Sequence, residues 1–383
     1  MMVEGNPALQ CSAFTHRCIL KTQHVHCSDS IKVWNRRNVE MDRERKLVSV
    51  QRIAKLEDMK NADTLQLATI LGWQCIVKKG TFKTGDLCVY FEIDSMIPPK
   101  QDFEFLRKSC WNERMQSFRI RTMKMRGCIS QGLAMPISIL PDPESAYEGH
   151  DVTVDLCVTK YELPEEFGGA TSTVKLAPFP GDIPRTDEPR IQTVPDVLIR
   201  NSGIVVYVTE KLDGTSCTIY RRGDHFGVCT RNREVQEGPN AYWTAAKASG
   251  LQANPALDGL ALQGEVIGPG IQKNRYRLTE IQFHVFNVYS ITNKRYLNVH
   301  EAMEVASELE LNFVPILWTN IKMPETVAGC VILAEGESKL NKEANREGIV
   351  VRGMREQWDV EIGRLSFKCL NPTFLLKEET ENE

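Results

Sequence analysis

The sequence predicts an α+β body preceded by a small antiparallel β-barrel, and three observations carry that reading. Short alternating apolar runs ("KLVSVQRI", "LQLATILG", "WQCIVKKG", "LCVYFEI") recur between glycines or turn clusters from Lys46 onward. A proline-rich stretch follows them, with six prolines between residues 162 and 196. Beyond it, helix-spaced and strand-like segments alternate. A chain of 383 residues is long enough for two cores.

Taken in order, residues 1–43 have no periodicity and read as a tail. The tail is mildly basic, but Glu4, Asp29 and Glu40 fit an organellar targeting peptide poorly, and Met41 offers an alternative start. Residues 44–160 form the expected barrel; "KTGDLCVYFEIDSMIPP" is a turn feeding a strand that closes on Pro98-Pro99, where a ladder cannot continue. "SFRIRTMKMRG", "GLAMPISIL" and "DVTVDLCVTKYE" supply further strands. Residues 161–198 read as a linker or elaborated loop. In residues 199–383, "NAYWTAAKASGL" and "LNVHEAMEVASELEL" have helical spacing, while "VVYVTEK", "LALQGEVIG", "IQFHVFNVYSI", "REGIVVRG" and "RLSFKCL" are strand-like. No internal repeat is visible.

Composition narrows the function classes. No apolar run is long enough to cross a bilayer as a helix. The twelve cysteines contain no C-x-x-C pair and mostly sit among apolar residues, as free thiols do in a reducing compartment, so an intracellular protein, cytoplasmic or nuclear, is expected. Cys18, His24, His26 and Cys27 match no standard metal spacing. Charge is uneven: residues 1–160 carry 23 Lys+Arg against 19 Asp+Glu, and residues 161–383 carry 24 against 31, so the barrel half is the basic one. Between Lys100 and Arg126, basic residues interleave with Phe103, Phe105, Trp111 and Phe118. That pattern is either a surface for phosphates and stacked bases or a solvated face over core aromatics.

Four ionisable residues interrupt runs that otherwise read as buried: Lys211, Glu265, Glu347 and Lys368. A charge there is costly unless it snorkels, is paired, holds a metal or does chemistry. Two acids and two lysines suit metal-dependent phosphoryl or nucleotidyl transfer. Carboxylates hold a hard divalent cation. A lysine amine becomes nucleophilic when burial or nearby cations lower its pKa. A second lysine stabilises charge on phosphate oxygens.

Lys211-Leu212-Asp213-Gly214 resembles the K-x-D-G motif of the covalent nucleotidyltransferases, the superfamily of ATP- or NAD-dependent ligases and mRNA capping enzymes. Its followers stand in the family's order: "CTRNRE" with Arg231, "LQGEVIG" with Glu265, "FHVFNVY" with Phe286, "REGIVVR" with Glu347 and "LSFKCL" with Lys368. The resemblance implies a nucleotidyltransferase domain in which Lys211 attacks the α-phosphate of ATP and carries AMP. It implies Asp213, Glu265 and Glu347 as supports for Mg2+ or Mn2+, Gly214 in the nucleotide-binding turn, Arg231 at phosphates or the nucleic-acid end, Phe286 stacked on adenine and Lys368 on the α-phosphate.

Classical DNA ligases and capping enzymes carry a barrel after this body, whereas here 15 residues follow Lys368 and the barrel precedes Lys211. That order resembles the ATP-dependent RNA ligases with an N-terminal OB domain, over roughly residues 44–372. The implied partner is RNA or a nicked duplex with RNA on the 3′-OH side, with no membrane and a monomeric enzyme expected; the basic segment is expected to grip the duplex through Arg121, Lys124 and Arg126. A capping-type guanylyltransferase and a non-catalytic RNA-binding protein on the same scaffold are the alternatives. One departure stands out: Ser366 occupies the position two before Lys368, where many relatives have a second lysine.

Overall fold

The computed structural model describes residues 45–60, 62–161 and 175–381. The expectations placed on residues 1–43, including Cys18, His24, His26 and Cys27, lie outside the described residues.

Residues 47–160 form the expected barrel. Its five-stranded sheet runs in the order Leu133–Pro136, Leu87–Phe91, Val48–Asp58, Leu65–Ile70, Trp73–Lys78, all antiparallel. The first half of the long strand Val48–Asp58 pairs with Leu87–Phe91 and its second half with Leu65–Ile70, where the register shifts between Ile53 and Lys55. A bulge of that kind bends a strand and lets a sheet curl into a barrel. Val48, Val50, Val89, Phe91, Ile97 and Phe118 are buried in one core, and Ile53, Ile70, Trp73 and Tyr90 in another beside it.

Two expected strands differ. "SFRIRTMKMRG" breaks into Ser117–Arg119 and the hairpin Thr122–Met125/Cys128–Gln131, because Ile120 donates its N–H to Ser95 and turns the chain between sheets. "DVTVDLCVTKYE" is strand only at Thr159–Lys160. Its apolar residues Val152, Leu156 and Val158 still enter the core, but the Thr153 hydroxyl accepts from the N–H groups of Leu47 and Val48 where a ladder partner would stand.

Beside a small hairpin sheet, Trp358–Asp359 with Gly363–Arg364, the second body holds two large sheets. One is ordered Ile316–Lys322, Val205–Lys211, Gly348–Gly353, Ser366–Leu370. The other is built around Thr215–Arg222, Leu260–Ile267 and Gln282–Ser290. Both expected helices form. Asn240 caps Ala241–Ala248, and Asn298 with Glu301 makes a reciprocal capping box on Val299–Glu308. Residues 175–198 belong to this body: Leu176–Pro178 pairs with Arg233–Val235, and Lys368 donates its N–H to the Pro189 carbonyl. The last helix, Pro372–Glu381, starts after Asn371, whose side chain accepts from the Thr373 N–H. It runs beside the barrel hairpin strand Thr122–Met125.

All described cysteines are free, and all but Cys128 and Cys157 are buried. No helix among the described residues is long and apolar enough to cross a membrane.

Phe367 lies fully buried between strands of the sheet that carries Lys211. Phe367→Ala is expected to destabilise this body by about 3–5 kcal/mol, read as a lower denaturant midpoint.

Candidate active site

The Lys211–Gly214 turn carries the chain from one sheet to the other: Lys211 ends Val205–Lys211 and Thr215 opens Thr215–Arg222. Only glycine fits the crossing point. A Cβ on Gly214 would lie 2.5 Å from the Val266 carbonyl oxygen and 2.8 Å from Cγ of Glu265. The crossing therefore brings Lys211 from the first sheet to Glu265 of the second, where Glu265 pairs with Ser216. On its own sheet Lys211 pairs with Gly348, which sets Glu347 beside it, and Lys211 Nζ donates to Glu347 Oε2 at 2.6 Å.

Lys368 faces the same cavity from the next strand, opposite Val350, and donates from Nζ to Asp187 at 2.9 Å. Arg231 and Phe286 complete the lining from the second sheet's side. Lys211, Arg231, Glu265, Phe286 and Lys368 therefore line one cleft, Glu347 is bonded to Lys211, and Asp213 and Gly214 stand in the turn just after Lys211, outside that lining.

Charge in this cleft is finely balanced. Burial pulls the Lys211 amine down, but Glu347, Glu265 and Asp213 outweigh it and leave its pKa above the ordinary lysine value. This corrects the expectation that position alone lets the amine shed its proton: three carboxylates surround a cation that burial would otherwise neutralise. The carboxylates bear the cost. Desolvation, with Glu347 next to it, pushes Glu265 up to about 8 even though Lys211 opposes the shift. Desolvation, Glu347 and Glu378 push Asp213 up to about 7 against Lys211 and Arg275. Lys368 is lowered, first by burial and then by Arg190 and Lys211, while Asp187 resists.

Among the described residues, no three Asp, Glu, His or Cys side chains stand close enough to hold a metal between them directly. The donor chemistry still fits a hard divalent cation: Asp213, Glu265 and Glu347 offer only carboxylate oxygens, and a bound cation would relieve the mutual repulsion that helps raise Asp213 and Glu265.

Sequence reasoning missed Asp187, Glu188 and Arg352. Arg352 is 2% exposed, stands opposite Ser366 and donates to Glu188 at 2.7 Å, with its guanidinium 5.6 Å from the Phe286 ring. A cation thus stands across the ladder from Ser366, already paired with Glu188. Asp187 and Glu188 lay unnoticed in the proline-rich stretch; an acid pair bracketed by Pro184 and Pro189 was the available signal.

On the barrel, Lys124 and Arg126 project from the exposed hairpin, while Arg121 is half-buried and donates to the Ser109 carbonyl at 2.9 Å. Phe103 and Phe118 are core residues, Trp111 lies under the Arg107 guanidinium at 3.9 Å, and Phe105 is exposed. The solvated-face reading therefore holds for most of these aromatics.

In the nucleotide-free protein, Glu265 binds its proton more tightly than an unfolded glutamate. It contributes stability below the ordinary carboxylate range, and that contribution is lost as pH rises towards about 8. Glu265→Gln is expected to be nearly neutral at pH ~5 and to raise stability at pH ~9 by on the order of 2 kcal/mol, measured by thermal melting at both pH values.

Comparison with known proteins agrees with this geometry. The RNA ligase family matches residues 204–370, and an OB-fold domain family matches residues 47–137. No curated protein sequence matches the chain. Among solved structures, the Naegleria gruberi RNA ligase with pyrophosphate is 35% identical, with a TM-score of 0.78, covering 88% of this chain and 99% of that one. A mutant of the same enzyme with ATP and Mn is 34% identical, with a TM-score of 0.79, covering 87% and 99%. Another mutant, with AMP and Mn, is 35% identical, with a TM-score of 0.79, covering 88% and 99%. The chain belongs to the RNA ligase family, in the group of ATP-dependent enzymes whose ligase domain follows an N-terminal OB domain.

Proposed function

We propose that this RNA ligase works through a lysyl-AMP on Lys211 and seals RNA 3′-OH and 5′-phosphate ends, with nicks carrying RNA on the 3′-OH side as its substrate. The observation that carries the reading is the single cleft in which Lys211, held 2.6 Å from Glu347, faces Glu265, Phe286, Arg231 and Lys368. The same Naegleria enzyme, solved with ATP and Mn, with AMP and Mn and with pyrophosphate, supports ATP and a divalent cation as the reagents.

Glu347 orients the Lys211 amine. The ammonium first gives a proton to solvent; the neutral amine nitrogen attacks the α-phosphorus of ATP, a P–N bond forms, the bond to the bridging oxygen of the β-phosphate breaks, pyrophosphate leaves, and the nitrogen releases a second proton to solvent. Lys368 and Arg231 neutralise the phosphate oxygens as charge builds there. Phe286 stacks on the adenine, and Gly214 keeps the backbone clear of the nucleotide. The AMP then passes to an RNA 5′-phosphate, and a 3′-OH displaces it to form the phosphodiester. Asp213, Glu265 and Glu347 would hold Mg2+ or Mn2+, whose charge offsets theirs and so lets burial lower the amine's pKa. The protein acts as a monomer, with residues 199–383 performing the chemistry and the barrel of residues 44–160 gripping the duplex.

Incubation of adenylate-free protein with α-labelled ATP and Mn2+ is expected to give a labelled covalent species. Lys211→Ala is expected to give none, and GTP is not expected to replace ATP. An unlabelled wild type would sink the reading, and labelling by GTP alone would favour a guanylyltransferase.

Lys124→Glu with Arg126→Glu tests the grip. Nick sealing should fall about tenfold and its salt slope should flatten by about 2, while self-adenylation stays within about twofold. Equal loss of both activities would count against a role in duplex binding.

A further inference from the structure

Asp213 is held at both ends by two adjacent residues of one loop. Its N–H donates to the Tyr276 hydroxyl at 2.6 Å, and its carboxylate accepts from Arg275 Nε at 3.0 Å. The loop, residues 268–281, links the strand carrying Glu265 to the strand carrying Phe286. It is an unusual piece of backbone. Gln272, Asn274 and Arg277 all adopt positive φ, at 46°, 42° and 54°, a conformation that costs about 1–3 kcal/mol for each such residue and persists only where surroundings impose it. Asn274 imposes part of it by bonding both the N–H and the carbonyl of Leu278. The Arg275 carbonyl is fixed by Asn341 at 2.7 Å.

The rest of the restraint comes from the C-terminal helix, Pro372–Glu381. Glu378 accepts from Arg275 Nη2, and the guanidinium lies 4.7 Å from the Phe374 ring centroid. The helix is itself anchored twice. Asn371 donates its N–H to the Glu347 carbonyl at 2.8 Å, and Leu375 packs against the barrel core around Ile53 and Trp73. Arg275 and Asp213 side chains are only 10% and 12% exposed, so this pair is shielded from the solvent that weakens surface ion pairs.

We propose that Arg275, set in place by Glu378 and Phe374, is a positioning residue for Asp213, so that the C-terminal helix fixes one side of the Lys211 site from the barrel. The proposal rests on the reading that Lys211 carries AMP. A purely structural ion pair would affect melting and leave the rate of the covalent step in the folded protein untouched. A positioning pair moves the rate of that step more than it moves ATP binding.

The test uses the full chain in single-turnover labelling with ATP and Mn2+, alongside thermal melting. Wild type and Lys211→Ala examine the underlying reading alone: an unlabelled wild type removes that reading whatever Arg275 does. Given labelling, Arg275→Gln is expected to cut the rate at saturating ATP by about 10- to 100-fold, with half-saturating ATP changed by less than about threefold. Arg275→Lys should recover part of the rate. Glu378→Gln, which leaves Arg275 in place, should lose about threefold or more. If Arg275→Gln does not fold, Glu378→Gln decides by itself. Wild-type labelling rates in folded Arg275→Gln or Glu378→Gln would overturn the proposal, as would rate losses that only track a falling melting temperature.

Discussion

The described structure turns on one electrostatic problem, the placing of the Lys211 ammonium among carboxylates that approach from two different sheets. Glu347 reaches it along its own sheet through the Lys211–Gly348 pairing, whereas Glu265 reaches it from the other sheet because the chain crosses at Gly214. Neither sheet alone makes the site. The close approach of the sheets buries the charges, and burial makes each charge depend on the others. This is why Lys211 ends above the ordinary lysine value while Glu265 and Asp213 are driven upward towards neutrality.

The cations around the cleft are held by acids of different cost. Asp187, the partner of Lys368, has 59% of its side chain exposed, so solvent can take over its solvation when a phosphate competes for the lysine. Glu188 and Arg352 are far more enclosed, with side chains 16% and 2% exposed, and separating them would strand a buried charge. Lys368 is therefore the cation whose partner solvent can release more easily, and Arg352 is a fixed part of the wall beside Phe286. Ser366 makes sense in this setting: a lysine there would crowd a second cation against Arg352 across the ladder.

The order of Lys211, Glu265, Phe286, Glu347 and Lys368 along the chain was enough to read the ligase body through its resemblance to the covalent nucleotidyltransferases; four of the five sit on strands and Glu347 stands immediately before one. The barrel was legible from its alternation and turn spacing, including the break at Pro98-Pro99. What escaped reading was whatever depended on a tertiary partner. Thr153 replaces a ladder partner with its hydroxyl, so "DVTVDLCV" looks like a strand and folds as turns around the same core. Asp187 and Glu188 look like solvated loop acids until Lys368 and Arg352 meet them. The Lys211 amine looks ready to lose its proton until the number of carboxylates around it is known, which depends on how two sheets face each other.

The barrel is joined to the catalytic cleft by two routes of different kinds. The first is ionic: Asp94 of the barrel accepts from Arg190 at 3.0 Å and from Arg119 at 3.3 Å, and Arg190 lies in a backbone bridge with Lys368. The second is apolar: Leu375 packs into the barrel core from the C-terminal helix, which follows directly on Asn371, bonded to the Glu347 carbonyl, and whose Glu378 holds Arg275. A barrel attached only by a linker could bind RNA without affecting the chemistry. Here one route ends at Lys368 and the other at Glu347 and Arg275 beside Lys211, so a shift of the barrel hairpin that moved the adjacent helix would be felt along the second route. The geometry thus links the hairpin that carries Lys124 and Arg126 to the groups that surround the Lys211 amine.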